Sequence, residues 1–489
     1  MVDITDHMEN RFDVMPVLPL ALLFILVSSS LVFGNLFLIK TVSAAEWTMV
    51  PRFTLSEMYD DNVHLASEGQ EKDDYVTQVN PGFSLAGQGR YSMLQIDYTM
   101  QNVFYQYNDK FDDTYHDLRA VNKTEILQKH LYLDAAVNYT QRTLDLQAVS
   151  SNDNVAINDN RADVVTYSAK PYFVYDFGRT SQILLQHDYL KTETKADRLN
   201  NTDNTTNTSY LQIKSGPTFK RVSWQLSHQK QLVEYDDRPN VKSSNSQAML
   251  NYKLSPKAYI IGVSGYEKYH YAVPPGEDNP EGSYWEAGLG WTPGSRTKLE
   301  VRQGEHYYGE TKNLLFNHKT RQTIWLVNYS EEINTTSQME PQFSTEIVDG
   351  EEFVTGVSFA NVPVVSLNKT LTVSITKNTA KSQFALKVND RKRKYLEQTG
   401  EERSSSAVAS WLWRMTGRTS IKVQEEMSKN TLFSSDNETT TQMHKLNLDH
   451  KIGADSQAYF SYSNAIQESD ASGVLYRRNV YTLGLTVKF

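Results

Sequence analysis

The sequence predicts an all-β fold: a transmembrane, antiparallel, up-and-down β-barrel of about 18–20 strands behind an N-terminal signal peptide. Three observations carry that expectation. Apolar and polar residues alternate with period two in segment after segment beyond Trp47. The connections between segments switch regularly between short turns and long polar stretches. The chain also ends on an alternating strand whose last residue is aromatic, Phe489.

Composition fits a barrel better than a soluble enzyme. The 489 residues contain no cysteine, so rigidity has to come from something other than disulfides, and a closed sheet supplies it. There are 29 Tyr, 19 Phe and 7 Trp in a chain whose mean hydropathy is −0.54. Many aromatics in a polar chain suit one lipid face, one wet face and polar loops. A net charge of −9 with no basic stripe speaks against nucleic acid as a partner.

One continuous apolar run exists, at 17–33, followed by Gly34-Asn35 and the small residues Val42, Ser43, Ala44 and Ala45. It reads as a signal peptide over residues 1–45, with 46–489 as the barrel. Acids Asp3, Asp6, Glu9 and Asp13 precede the run where basic residues are usual, so an uncleaved anchor stays open as the second reading. No later stretch approaches the ~20 apolar residues of a membrane helix, so any later crossing uses strands.

The strands follow in order. Leu94, Ile96, Tyr98 and Met100 alternate with Gln95, Asp97, Thr99 and Gln101. Leu131, Leu133, Ala135, Val137 and Tyr139 repeat the pattern, as do Trp285, Ala287, Leu289 and Trp291. Phe384, Leu386 and Val388, then Ala458, Phe460 and Tyr462, continue it. A helix needs 3.6-residue spacing, which these windows lack. Short turns include Phe177-Gly178-Arg179-Thr180 and Pro293-Gly294-Ser295-Arg296; the long stretches include 150–163, 195–209 and 274–282. Short turns on one rim and long loops on the other describe a bacterial barrel with loops outside. Fourteen segments are counted from Trp47 to Ile333 and six from Lys381 to Phe489, about twenty in all, an even total that returns both ends to the short-turn rim.

The last strand presents Tyr481, Leu483, Leu485, Val487 and Phe489 on one face. Such a strand is read as the signal by which the outer-membrane barrel assembly machinery takes its clients; an ordinary edge strand is the alternative. Between the two blocks of strands, residues 334–368 break the ladder, with no Lys or Arg before Lys369 and five acids: Glu340, Glu346, Asp349, Glu351 and Glu352. By strand parity this acidic insertion begins on the short-turn rim. A lumen plug, a periplasmic docking segment and a tolerated insertion are its possible uses, and the alternating run 371–376 is counted as part of it.

No catalytic, cofactor or metal site emerges, and an enzyme is not expected. Without cysteine there is no thiol nucleophile, and the eleven histidines form no HExxH motif. His187-Asp188 and Asp449-His450 are sequence neighbours whose side chains would point to opposite faces of a strand. Asp60-Asp61-Asn62 and Asn152-Asp153-Asn154 offer oxygen atoms that could bind calcium but lack EF-hand spacing; polar turns are the commoner use. Function is expected on the lumen face, where alternation places Asp97, Asp134, Lys298, Glu300, Arg302 and Lys387. Mixed charges there suit a hydrated passage, or facing charges that neutralise one another across a closed interior.

Several phrases together resemble a known family: Pro51-Arg52-Phe53-Thr54, Tyr59-Asp60-Asp61-Asn62-Val63, Asn80-Pro81-Gly82-Phe83, and residues 288–297 from Gly288-Leu289-Gly290-Trp291 to Arg296-Thr297. With the terminal strand they are similar to the outer-membrane barrels encoded beside exosortase (PEP-CTERM) and exopolysaccharide loci. The resemblance implies a Gram-negative outer-membrane protein with a role in export of extracellular polysaccharide. Its partners would be outer-membrane lipid, the assembly machinery, the exopolysaccharide and its periplasmic export proteins. It supplies no catalytic residue. A surface adhesin on a closed barrel is the alternative function.

Overall fold

In the computed structural model the described residues are 46–489 apart from 144–148, 150, 152, 159, 196–202, 237–238, 274–278, 336–343, 349–350, 357–364, 397–399, 432–437 and 471–472. The signal-peptide expectation for 1–45 falls outside them.

The first fifteen strands are β1 (Glu46–Asp60), β2 (Asp74–Gln88), β3 (Ser92–Tyr105), β4 (Asp113–Leu127), β5 (Leu131–Thr143), β6 (Arg161–Phe177), β7 (Ser181–Lys195), β8 (Asn204–Ser215), β9 (Val222–Tyr235), β10 (Val241–Ser255), β11 (Ala258–His270), β12 (Glu281–Gly294), β13 (Thr297–His306), β14 (Gly309–Lys319) and β15 (Thr323–Thr335). A separate hairpin, β16 (Ser344–Val348) with β17 (Glu351–Gly356), precedes β18 (Val365–Asn378), β19 (Ser382–Tyr395), β20 (Glu401–Arg414), β21 (Thr419–Thr431), β22 (Glu438–Lys451), β23 (Ser456–Ser469) and β24 (Gly473–Lys488). Each barrel strand pairs antiparallel with the next, β15 pairs with β18, and β1 pairs with β24. The result is one closed sheet of 22 strands. Closure gives every barrel strand a hydrogen-bonded neighbour on both sides, which a wall in lipid requires.

The alternation resolves into two faces. On the outside, Trp47, Met49, Phe53 and Leu55 of β1 continue through Leu289 and Leu483, which are 62 % and 65 % exposed. Large apolar side chains left bare in such numbers mark a lipid-facing surface rather than scattered exposure. The fold is therefore that of an outer-membrane barrel. Tyr481, Leu483, Leu485 and Phe489 lie bare on this outer face, where Tyr481 packs between Tyr59 and Tyr462 across the β1–β24 closure.

The strand count differs from the sequence expectation of about twenty, and the difference has a physical cause. β13 and β14 are joined by Tyr307-Tyr308 alone, so the loop-side boundary carries no loop signal. The run 371–376, assigned to the insertion, is the middle of β18, which registers fully between β15 and β19. Each side of the insertion therefore holds one more strand. Parity then places the end of β15 and the start of β18, between which the insertion lies in sequence, on the rim of the long connections, not on the rim of Glu46 and Lys488, which corrects the side expected from sequence.

Candidate functional site: the inner wall and its docked segment

The inner face is polar and internally paired. On β13, Lys298 lies 3.1 Å from Glu300, and Arg302 lies 2.9 Å from Glu286 of β12. Glu286 and Glu267 of β11 share the ring of His306, at 3.4 Å and 2.9 Å, and Tyr284 stacks on that ring at 4.2 Å. Across the barrel, Asp97 accepts hydrogen bonds from Ser84 (2.6 Å) and Gln95 (3.2 Å), and Ser84 also accepts from Arg52 (3.2 Å). Asp134 stands in register between Lys123 and Lys170, and Lys387 between Ser374 and Val408. The six sequence-selected residues thus share the inner parity. Only Lys298, Glu300 and Arg302 are brought side by side; the others are distributed around the wall.

A second inner cluster was not grouped by sequence. Part of the β5–β6 connection turns into the barrel, burying Val155 and Ala156. Val155 packs with Val63, Val76, Val103 and Tyr105, and Ala156 with Leu65, Met443, Ala465 and Tyr476. The Tyr105 hydroxyl donates to the Val155 carbonyl at 2.7 Å, and the Ile157 amide donates to the Val63 carbonyl at 2.7 Å. One arginine of β24 fastens this segment. Arg478, 3 % exposed, donates to Asp60 at 2.6 and 2.9 Å and to Asp153 at 2.7 and 3.3 Å. Asp153 also accepts from the amides of Val155 and Ala156. Burial raises the Asp153 carboxyl, but Arg478 and these donors outweigh it and hold the group well below the usual carboxylate range.

The two aspartates therefore serve an arginine. Asp60 and Asp153 came from the two oxygen-rich runs noted as possible calcium ligands, and no group of three metal-ligating side chains occurs among the described residues. Of the other described members, Asn62 is bonded to the backbone of Ala66 and Arg477, Asp61 accepts from Asn479, and Asn154 donates to Gln101 and Gln141. The sequence signal for this cluster was the inward parity of Asp60 and Arg478 at the loop ends of β1 and β24; nothing local pointed to Asp153 as their partner. Beneath the docked segment is a cavity of about 190 Å³, walled by Asn80, Gln101, Asp117, Gln141, Asn154 and Arg161. The two sequence-adjacent His/Asp pairs are split between faces: His187 bonds to Ser209 while Asp188 bonds to Gln186, and His450 bonds to Thr419 while Asp449 bonds to Gln457.

Comparison with known proteins gives fold and little more. No family profile matches the chain, and no curated protein matches it. Among solved structures it is similar to the ferric enterobactin receptor PfeA of Pseudomonas aeruginosa, a mutant in complex with enterobactin, at 9 % identity, with 90 % of this chain and 81 % of that chain covered and a TM-score of 0.50. It is similar to the iron transporter FrpB of Neisseria meningitidis at 10 % identity, with the same coverage and a TM-score of 0.50. These are receptors and transporters, not enzymes. They overturn the resemblance to the exosortase-associated barrels and leave the expectation of polysaccharide export without support. The phrases behind that resemblance have a general structural cause: a side chain at Gly290 would overlap the Tyr259 ring, and one at Gly82 or Gly288 would meet the backbone of the neighbouring strand. Glycine covered by a neighbouring aromatic is a device of curved sheets at large. The likeness is thus one of fold: a closed 22-stranded outer-membrane barrel.

Proposed function

We propose that the protein moves a solute across the outer membrane through its lumen, with the segment pinned by Arg478 setting how open that lumen is. One observation carries this reading: a closed ring of 22 strands whose inner wall is charged and hydrogen-bonded, with a loop segment fastened inside it. A ring of that size spans about 40 Å between opposite strands, and barrels of 22 strands are the plugged transporters among outer-membrane proteins. The solutes to try first are ferric siderophores, since the similar barrels are named for siderophores and iron. Near the long-connection rim, the half-buried Tyr307 and Tyr308, backed by the buried Tyr269 and Tyr271, keep some aromatic surface for such a ligand.

Planar-bilayer recording of the purified protein tests the reading. We expect ion current from the wild type or from Asp153→Ala, and a shift of the reversal potential toward cation selectivity when Lys298 and Arg302 are both changed to Glu. No current from either protein, correctly folded, would overturn it and favour a closed adhesive barrel.

A further inference from the structure

The outer face of β9–β11 is built differently from the rest of the loop-side rim. Elsewhere on that rim many outward cations stand beside carboxylates, Lys191 with Glu193 (2.5 Å), Lys369 with Glu331 (3.3 Å), Lys392 with Glu401 (2.6 Å), Arg403 with Asp390 (2.9 Å) and Lys429 with Glu438 (2.5 Å), and the exposed Lys312 and Lys394, which have no such partner among the described residues, stand on separate strands. On β9 and β10, Lys230 and Lys242 are exposed and have no ion-pair partner among the described residues. Lys268 of β11 joins them while touching Glu281 at 2.5 Å.

The register fixes their spacing. Lys230, Ser244 and Lys268 form one row across the three strands, and Leu232, Lys242 and His270 form the next row toward the rim. Three ammonium groups therefore start from backbone positions about 8–10 Å apart. That is within reach of a single phosphate, given the length and freedom of lysine side chains.

Directly below the lysines, toward the membrane middle, the surface sinks. The rows there are His228–Ser246–Tyr266, Leu226–Ala248–Ser264 and Trp224–Leu250–Gly262. Ala248, Ser264 and Gly262 leave the centre and right low between Tyr266 above and Leu250 below, Trp224 and Leu226 form one bank, and a Cβ at Gly262 would meet nothing within 4 Å. The resulting open groove holds about 630 Å³ and is apolar. Its lining, from the Leu226–Ala248–Ser264 row to the Trp224–Leu250–Gly262 row, begins about 13 Å and ends about 20 Å along the strands from the Lys230–Ser244–Lys268 row, within the ~15 Å hydrocarbon depth of one leaflet once strand tilt is allowed for. Cations at the headgroup level of the outer leaflet, above an apolar hollow within the reach of an acyl chain, are complementary to one ligand class: a phosphate-bearing acylated lipid.

We propose that the outer face of β9–β11 is a specific lipid site, in which Lys230, Lys242 and Lys268 hold a phosphate of an outer-leaflet lipid and its acyl chain lies in the groove beneath them. Juxtamembrane lysines contribute about 1 kcal/mol each at an anionic membrane surface, a factor of about 5. The probe is lipid A, bound to the delipidated full-length protein in detergent and followed by native mass spectrometry. Lys230→Gln with Lys242→Gln should weaken retention about 30-fold, while Lys312→Gln on β14 leaves it unchanged. Ala248→Trp, which fills the groove without removing charge, should also displace lipid A. Heat-modifiability on gels checks that each variant is folded. Equal retention by the double variant and the wild type would overturn the proposal. So would displacement by inorganic phosphate at concentrations matching the lipid, which would make it a bare anion site, or loss of a dimer rather than of lipid in Ala248→Trp, which would make it a contact between copies.

Discussion

Removing the Asp153 carboxylate should release the inward segment without opening the barrel. Asp153 gives Arg478 two charge-assisted contacts and gives two backbone amides their acceptor. Its side chain is 43 % exposed, so the ion pair is discounted for solvent to about 2 kcal/mol, and the two amide bonds add about 1 kcal/mol. A loss of about 3 kcal/mol raises the undocked fraction about 150-fold. The assay is hydrogen exchange at the Ile157 amide, which the docked segment bonds to Val63. Asp153→Ala should accelerate it by about two orders of magnitude, with an unchanged unfolding temperature. Arg478→Gln should do more, because Asp60, with no exposed surface, is left as an unpaired charge beside the β1–β24 seam, at a cost of about 3–5 kcal/mol to the barrel itself. The Asp153 carboxyl lies below its unfolded value of about 3.9, so its contribution is complete above that pH and is lost only as pH falls through the lower folded value. Docking should therefore be the same at pH 7 and pH 5. Ile157 exchange that changes less than fivefold in Asp153→Ala would refute the clamp.

Two further outcomes test the wall and its assembly. A Cβ at Gly304 would lie 1.9 Å from the Trp285 carbonyl oxygen, which is backbone and cannot swing away, so Gly304→Ala should lower the unfolding temperature by the equivalent of about 1–3 kcal/mol. Gly417→Ala, at a turn with open space around it, should not, and equal temperatures for the two variants would count against the close-approach reading. Phe489 is 76 % exposed, so Phe489→Ala should leave refolding in detergent unchanged. Insertion into the outer membrane of cells should nevertheless fall severalfold if the terminal strand is read by the assembly machinery. Normal insertion would leave it an ordinary closing strand.

How much of this was legible in the sequence follows from which signals are local. Face alternation is local, because each residue's side follows from its neighbour's. Leu289 outside and Arg302 inside therefore need no knowledge of the fold. The turns are local too, since Gly178, at a positive φ of 60°, writes its chemistry into the sequence. The docked segment is not. Asp153 and Arg478 are 325 positions apart, and Ser-Asn-Asp-Asn-Val-Ala-Ile-Asn has the composition of a solvated loop. Only Val155, Ala156 and Ile157 within it hint at burial, and three apolar residues among polar ones are too few to separate a plugging segment from a loop tip.

Strand parity shows why one missed element distorts function more than fold. Overlooking two strands of 22 leaves the architecture recognisable, since an even number still closes with both ends on one rim. Yet when one of the two falls on each side of 334–368, the strands before the first missed boundary and after the second keep their direction, and only the stretch between, β15 and the insertion included, is reversed. The ends of β15 and β18 thereby come to the same rim as the Tyr307-Tyr308 turn, and not to the rim where periplasmic partners could meet the insertion. The same parity places Lys230 and Lys242 in the outer leaflet rather than the inner, so the lipid proposal and the position of the acidic insertion rest on a common orientation. Protease added to intact cells checks it directly. Cleavage within 336–364 and protection of the β18–β19 turn, 379–381, is the expected pattern, and the reverse pattern would invert both conclusions together.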